Sequence, residues 1–201
     1  MERTAFKTHR IAVLTGGHGR GSNLRAIQQH FKEREYPAEV ALVIGDREQT
    51  PVRELCQELK LPFVYVSSKD MQSYEAEVIR LAKEHQIELI ALAGFLKLLS
   101  ADFLSRVKVP VLNIHPSLLP KYGGDKMYGM RVHEAVFAAG EEQSGATVHE
   151  VSPIYDAGKI VKQEPIDIRN CTNSEEIAQK VLDIEHQIYA DAIIERLKQE
   201  S

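Results

Sequence analysis

Four short runs in the first half of the chain are almost wholly apolar: Ile11–Leu14, Val40–Ile44, Pro62–Val66 and Ile87–Ala93. Short apolar runs bounded by polar segments read as strands buried on both faces. Between them, apolar residues recur at helical spacing. Leu24, Ile27 and Phe31 mark one helix, opened by Ser22 and Asn23. Pro51–Leu59 reads as a second, and Met71, Val78, Leu81 and Ala82 mark a third within Ser68–His85. This alternation predicts a parallel sheet covered on both faces, with any ligand beyond the carboxyl ends of its strands.

The second half changes character. Val109, Val111, Leu112 and Ile114 supply a strand that Pro116 must end, since proline has no N–H for a neighbour. Val132, Ala135 and Val136 mark a helix after the Lys121–Lys126 loop. Gly145–Val151 alternates in polarity, and Lys159–Ile166 follows across Ser152–Gly158 as an antiparallel partner. Thr172–Leu197 is a long helix with a stripe at Ile177, Val181, Ile184 and Ile188. Thr172 with Glu175, or Asn173 with Glu176, opens it as a capping box. The expected class is α/β: an open, mostly parallel twisted sheet with helices on both faces and an antiparallel C-terminal strand pair.

Two stretches carry chemistry. Asn113 and His115 lie two apart on a strand, so both side chains leave the same face near its end. A carboxamide and an imidazole there suit an oxyanion developing on a carbonyl carbon. A polar cap closing the strand explains the pair equally well. The second stretch is the loop after Leu14, with Gly16, Gly17, Gly19 and Gly21 ahead of the helix at Ser22. A Walker A motif needs Lys after Gly21, where Ser22 stands. The dinucleotide fingerprint fails as well, because its third glycine falls on Ser22 or Leu24. Strand, glycine loop and helix N-terminus remain an anion site, and phosphate binding outranks a merely tight turn. The failed fingerprint argues against the rival reading, a nucleotide-binding oxidoreductase.

Composition narrows the classes. The chain has 201 residues, enough for one α/β domain. Its 25 basic and 29 acidic residues leave a net charge of −4 with no basic block, which does not propose a nucleic-acid surface. Cys56 and Cys171 stand alone, which fits a reducing, cytoplasmic setting, and no His/Cys cluster proposes a metal site. No apolar run reaches the roughly 18 residues a membrane span needs, and Met1–Arg10 lacks the apolar core of a signal peptide.

The octet Asn113-Ile114-His115-Pro116-Ser117-Leu118-Leu119-Pro120 resembles the signature of the folate-dependent formyltransferases, and further matches run through most of the chain. The resemblance implies a formyltransferase-like fold and 10-formyltetrahydrofolate as co-substrate, with no metal. It implies one domain over residues 1–201, with a phosphate-binding half at about 9–107 and a catalytic and folate half at about 108–201. The loop at Gly21, Ser22 and Asn23 then holds the phosphate of a small substrate. Phe95, Leu96, Lys97, Leu98 and Leu99 match the family's pterin-holding segment, with Val151 as a further folate contact. Asp156, an ordinary turn residue by composition, falls where the family places the carboxylate that supports its catalytic histidine. That role predicts a His115 pKa raised above its usual value. Glu185, a helix-edge residue by pattern, matches a family glutamate that binds the substrate amine. Gly123 stands where the family has proline. The chain's length leaves no place for the extra domains of larger family members, so the implied acceptor is glycinamide ribonucleotide. Another formyltetrahydrofolate-dependent transferase or hydrolase is the alternative.

Overall fold

The computed structural model describes residues 7–16 and 19–199. Gly17 and His18, part of the expected glycine loop, lie outside the described residues. The chain divides into two compact units, one up to Phe95 and one from Leu96 on.

The first unit is built from β1 (His9–Thr15), α1 (Ser22–Glu33), β2 (Ala38–Gly45), α2 (Pro51–Leu59), β3 (Phe63–Tyr65), α3 (Met71–Glu84) and β4 (Leu89–Leu92). Its strands are parallel in the order β3-β2-β1-β4. Ile11, Val13, Leu14, Leu42, Val43, Ile44, Leu89, Ile90 and Ala91 are all fully buried. Neighbouring residues on a strand face opposite ways, so both faces of β1, β2 and β4 are covered. β3, expected to be buried on both faces, is half-buried at Phe63 and Val64 and exposed at Tyr65, because it lies at the edge of the order. The helices end where their sequences dictate. Thr50 caps α2 by accepting from the N–H groups of Val52 and Arg53, and Asp70 caps α3 by accepting from Ser73. Strand order reverses at β1, with β2 on one side and β4 on the other. The glycine loop leaves β1 at that switch point, the usual ligand position of such sheets.

The second unit comprises α4 (Ala101–Val107), β5 (Val111–His115), α5 (Met130–Ala138), β6 (Gln143–Glu150), β7 (Ile160–Asp167) and α6 (Ser174–Lys198). β6 and β7 are antiparallel, as the alternating pattern predicts, and β5 is antiparallel to β6 as well. α6 begins at Asn173, whose side chain accepts from Glu176 N, while the Glu176 carboxylate turns back to Thr172 N at 2.7 Å. Ile177, Val181 and Ile188 are buried, whereas Ile184 is only half-buried. The Tyr189 hydroxyl donates to the buried Leu112 carbonyl at 3.0 Å, fastening α6 to β5.

Register within β5 and β6 decides which side chains meet. Asn113 lies opposite His149, and His115 lies opposite Thr147. Directly opposed residues share a face, so all four project together. Thr147 is completely buried and fixes the segment that follows β5. Its hydroxyl donates to Ser117 O at 2.6 Å and accepts from Leu119 N at 3.1 Å and from Gln163 Nε2 at 2.8 Å. Thr147→Val keeps the shape but leaves Leu119 N and Ser117 O without this buried partner. It should cost about 1–3 kcal/mol of stability, read as a lower urea midpoint with an unchanged slope.

Candidate active site

The four residues facing out of β5 and β6 meet a fifth from the turn between β6 and β7. Asp156 sits there with φ 53°, in the left-handed region that aspartate tolerates better than most residues. One carboxylate oxygen, Oδ2, accepts from Gly124 N at 2.9 Å and faces His115 Nδ1 at 3.4 Å. The other, Oδ1, faces His149 Nε2 at 3.4 Å. His115 Nε2 donates to the Tyr122 carbonyl at 2.8 Å. Since a carbonyl oxygen can only accept, that contact places a proton on Nε2. Asn113 Nδ2 lies 3.1 Å from His149 Nε2, and His149 Nδ1 lies 3.0 Å from Glu150 O. Asn113, His115 and Asp156, predicted from different stretches, therefore converge around His149.

The sequence reading passed over His149. Its signal is the Thr147-x-His149 alternation, which matches Asn113-x-His115 on the facing strand. It also passed over two backbone groups of the Lys121–Gly124 turn, Tyr122 O and Gly124 N, that hold His115 and Asp156. Gly123 lies between Leu119 and Asp156 in this turn. A Cβ there would sit 2.5 Å from Leu119 Cδ2 and 3.2 Å from Asp156 Cβ.

Burial governs the charges here. It pushes the His115 pKa down. The Asp156 carboxylate and the Tyr122 carbonyl oppose that, the charge of His149 adds to it, and the net shift is downward. The raised pKa expected from an aspartate partner is corrected: the ion pair is real in placement, but desolvation of a nearly buried ring outweighs it. Burial alone would push Asp156 up. His149, His115 and the Gly124 N–H together reverse that and hold it below the usual carboxylate range.

The remaining candidates lie on other elements. Gly21 caps α1 in the left-handed conformation, φ 78°, without a side-chain cap, and no acidic residue occupies the first turn. A Cβ on Gly21 would meet Leu55 Cδ2 at 2.5 Å, so the loop packs tightly against α2. Ser22 is exposed and Asn23 half-buried. Phe95 is buried and stacks on the Tyr74 ring, centroids 5.4 Å apart, and Leu99 is also buried. Leu96 and Leu98 present exposed apolar side chains, with exposed Lys97 between them. Val151 N donates to Val111 O at 2.8 Å, and its side chain is half-buried. Glu185 is buried on α6. Among the described residues no cluster of His, Cys, Asp or Glu is placed to hold a metal ion, and no helix is long and apolar enough to cross a membrane.

Comparison with known proteins shows the family. Residues 9–193 match the family described as formyl transferase, and the chain belongs to that family. It is 34% identical to the phosphoribosylglycinamide formyltransferase of Bacillus subtilis, over 92% of both chains. It is 31% identical to the chloroplastic phosphoribosylglycinamide formyltransferase of Vigna unguiculata, covering 95% of this chain and spanning only 62% of that relative's length. The crystal structure of the Bacillus halodurans phosphoribosylglycinamide formyltransferase superposes with a TM-score of 0.84 at 30% identity, over 96% of this chain and 97% of that one.

His133 on α5 adds a pH dependence. It is buried, and its Nδ1 has no hydrogen-bond partner among the described residues. Burial first, then the charge of His115, pushes its pKa down to about 4. The folded protein therefore binds this proton more weakly than the unfolded chain does. The stability tied to the neutral ring is full above the ordinary value of 6.5 and drains as pH falls toward about 4. Its ceiling is roughly 3 kcal/mol, at about 1.4 kcal/mol per pKa unit. His133→Leu should lose less stability than wild type between pH 7 and pH 4, measured by urea unfolding at both pH values. Parallel losses in the two proteins would remove His133 as a source of acid sensitivity.

Proposed function

We propose that this chain transfers the formyl group of 10-formyltetrahydrofolate to the primary amine of glycinamide ribonucleotide, a step of purine synthesis, in the cytoplasm and without a metal ion. The observation that carries the reading is the convergence of Asn113, His115 and Asp156 on β5 and the β6–β7 turn. An amide N–H donor beside a protonable imidazole and a half-buried carboxylate suits acyl transfer. Named relatives of matching length act in the same direction.

The amine attacks the formyl carbon, and negative charge grows on the formyl oxygen. Asn113 donates to that oxygen from Nδ2, a donor that needs no protonation. His115 joins as a second donor when Nε2 leaves the Tyr122 carbonyl. Asp156 favours the charged form of the ring against burial, which is what keeps protonated His115 accessible at all. The new carbon–nitrogen bond forms at the amine, which loses a proton. The bond to the folate nitrogen breaks, and that nitrogen gains a proton. Asp156 lies within reach to move protons through water. Gly21, Ser22 and Asn23 take the substrate phosphate at the start of α1, where the helix dipole favours an anion. Glu185 takes the substrate amine. Phe95, Leu96, Lys97, Leu98, Leu99 and Val151 take the folate, with Leu96 and Leu98 supplying uncovered apolar surface.

The test is consumption of 10-formyltetrahydrofolate by the purified chain with and without glycinamide ribonucleotide. Consumption should depend on the acceptor and yield the formylated product. Acceptor-independent deformylation, or none, would overturn the reading. Ser22→Asp tests the loop in the same assay. A carboxylate in the first turn of a helix stabilises it by about 0.3–1 kcal/mol, so folding should not suffer. The same charge repels a phosphate. KM for glycinamide ribonucleotide should rise by about tenfold or more, the effect of roughly 1.4 kcal/mol, with KM for the folate unmoved. Equal rises for both would take the phosphate away from this loop.

A further inference from the structure

We infer that Glu141 is a positioning residue for His115: by binding the Tyr122 phenol it keeps the Tyr122 carbonyl against the imidazole, an inference that rests on the function proposed above. The His115 ring lies between two groups that only accept. Nε2 is 2.8 Å from the Tyr122 carbonyl, and Nδ1 is 3.4 Å from Asp156 Oδ2. A neutral ring has one N–H and serves only one of them, whichever tautomer it takes. The imidazolium serves both, so both acceptors favour the charged ring. The carbonyl does so only while its turn stays in place.

Two features make that place depend on a tether. The turn borders a cavity of about 340 Å³, walled by Leu118 and Tyr122 on one side and by Val136, Glu141 and Ser144 on the other. Apolar packing therefore does not fill the space beneath it. Tyr122 also has φ 57°, a left-handed conformation that bulky residues rarely adopt and that persists only when the surroundings hold it. Glu141 supplies that hold. Its Oε1 accepts from the Tyr122 hydroxyl at 2.9 Å and from Lys121 Nζ at 2.8 Å. Lys121 is exposed, and a surface pair of that kind contributes little, so the phenol is the tether. Glu141 is itself fixed by the end of α5. Gly140 is left-handed, φ 65°, with its N–H on Phe137 O at 3.0 Å, and Glu141 N donates to Val136 O at 3.4 Å. This is a Schellman ending, with Glu141 at its last position. Lys121 and then the phenol hold the Glu141 carboxylate below the usual range, so it stays charged at neutral and alkaline pH. The sign of the effect follows from what faces His115. Burial and the charge of His149 lower its pKa, while Asp156 and the Tyr122 carbonyl raise it. His133 on α5 is a further imidazole whose charge would oppose that of His115. Losing the carbonyl leaves the lowering influences less opposed.

Two variants cut the tether from opposite ends. Tyr122→Phe removes the hydroxyl and keeps the ring, and Glu141→Ala removes its acceptor. In each, the His115 ring followed by NMR should titrate about 0.5–1 pH unit below wild type, the scale of one hydrogen bond. The alkaline limb of formyl transfer should move down with it. The rate deficit should widen as pH rises, to about three- to tenfold above both midpoints. The double variant should titrate where the single ones do, because both delete the same contact. Glu141→Gln should titrate close to wild type, since its Oε1 still accepts from the phenol. A merely structural Glu141 predicts lower stability with an unmoved His115 titration, and that result in the folded variants overturns the inference. Summed shifts in the double variant overturn it too. So do equal shifts in Glu141→Gln and Glu141→Ala, which would mark lost charge in place of a lost tether. The titration needs no substrate and is read apart from the assay. Absence of formyl transfer by wild type overturns the proposed function and this inference with it. Transfer with an unmoved titration overturns the inference alone.

Discussion

One carboxylate ties the second unit's chemistry together. Asp156 faces His115 with one oxygen and His149 with the other, and Gly124 N–H anchors it. Each partner reaches it from a different segment: β5, β6 and the turn after Pro120. An unpaired carboxylate buried to this extent would be too costly to keep charged. Three partners make the charge tolerable, and the charge in turn opposes the desolvation that would hold His115 neutral. The left-handed backbone at Asp156 adds on the order of 1 kcal/mol of strain, which these partners offset.

The antiparallel ladder between β5 and β6 does the rest of the positioning. A slip of one residue would send Asn113 and His115 to one face and His149 and Thr147 to the other. Thr147, Ser117, Leu119 and Gln163 prevent that by locking the end of β5 to β6 and β7 through buried hydrogen bonds. Stability and chemistry therefore draw on the same register. The first unit solves a separate problem. The buried centres of its strands are apolar and need no polar register, and its loop after β1 opens at the place where strand order reverses.

The sequence made much of this legible. Continuous apolar runs announced the parallel strands and the burial of β1, β2 and β4, though not the half-exposed edge position of β3, and the i, i+2 spacing put Asn113 and His115 on one face. Helix starts at Thr50, Asp70 and Asn173 follow cap chemistry that short-range pattern carries. Asp156 was visible only through resemblance, because an aspartate before Ala-Gly is an ordinary turn. His149 stayed hidden because a cross-strand partner exists only once register is known. Tyr122 O and Gly124 N were invisible for a plainer reason, since backbone groups leave no mark in residue identity. The direction of the His115 shift was missed because charge neighbours can be guessed from motifs, while the depth of burial that opposes them cannot.

The claim that Asp156 sustains a protonable His115 has a direct measurement. The His115 ring resonances can be followed across pH in wild type and in Asp156→Asn. Wild-type His115 should titrate below its ordinary value of 6.5, because burial dominates. With the opposing charge removed and burial unchanged, the variant should titrate lower still. The alkaline limb of its rate profile should move to lower pH in step. An identical His115 titration in wild type and a folded Asp156→Asn variant would contradict the account.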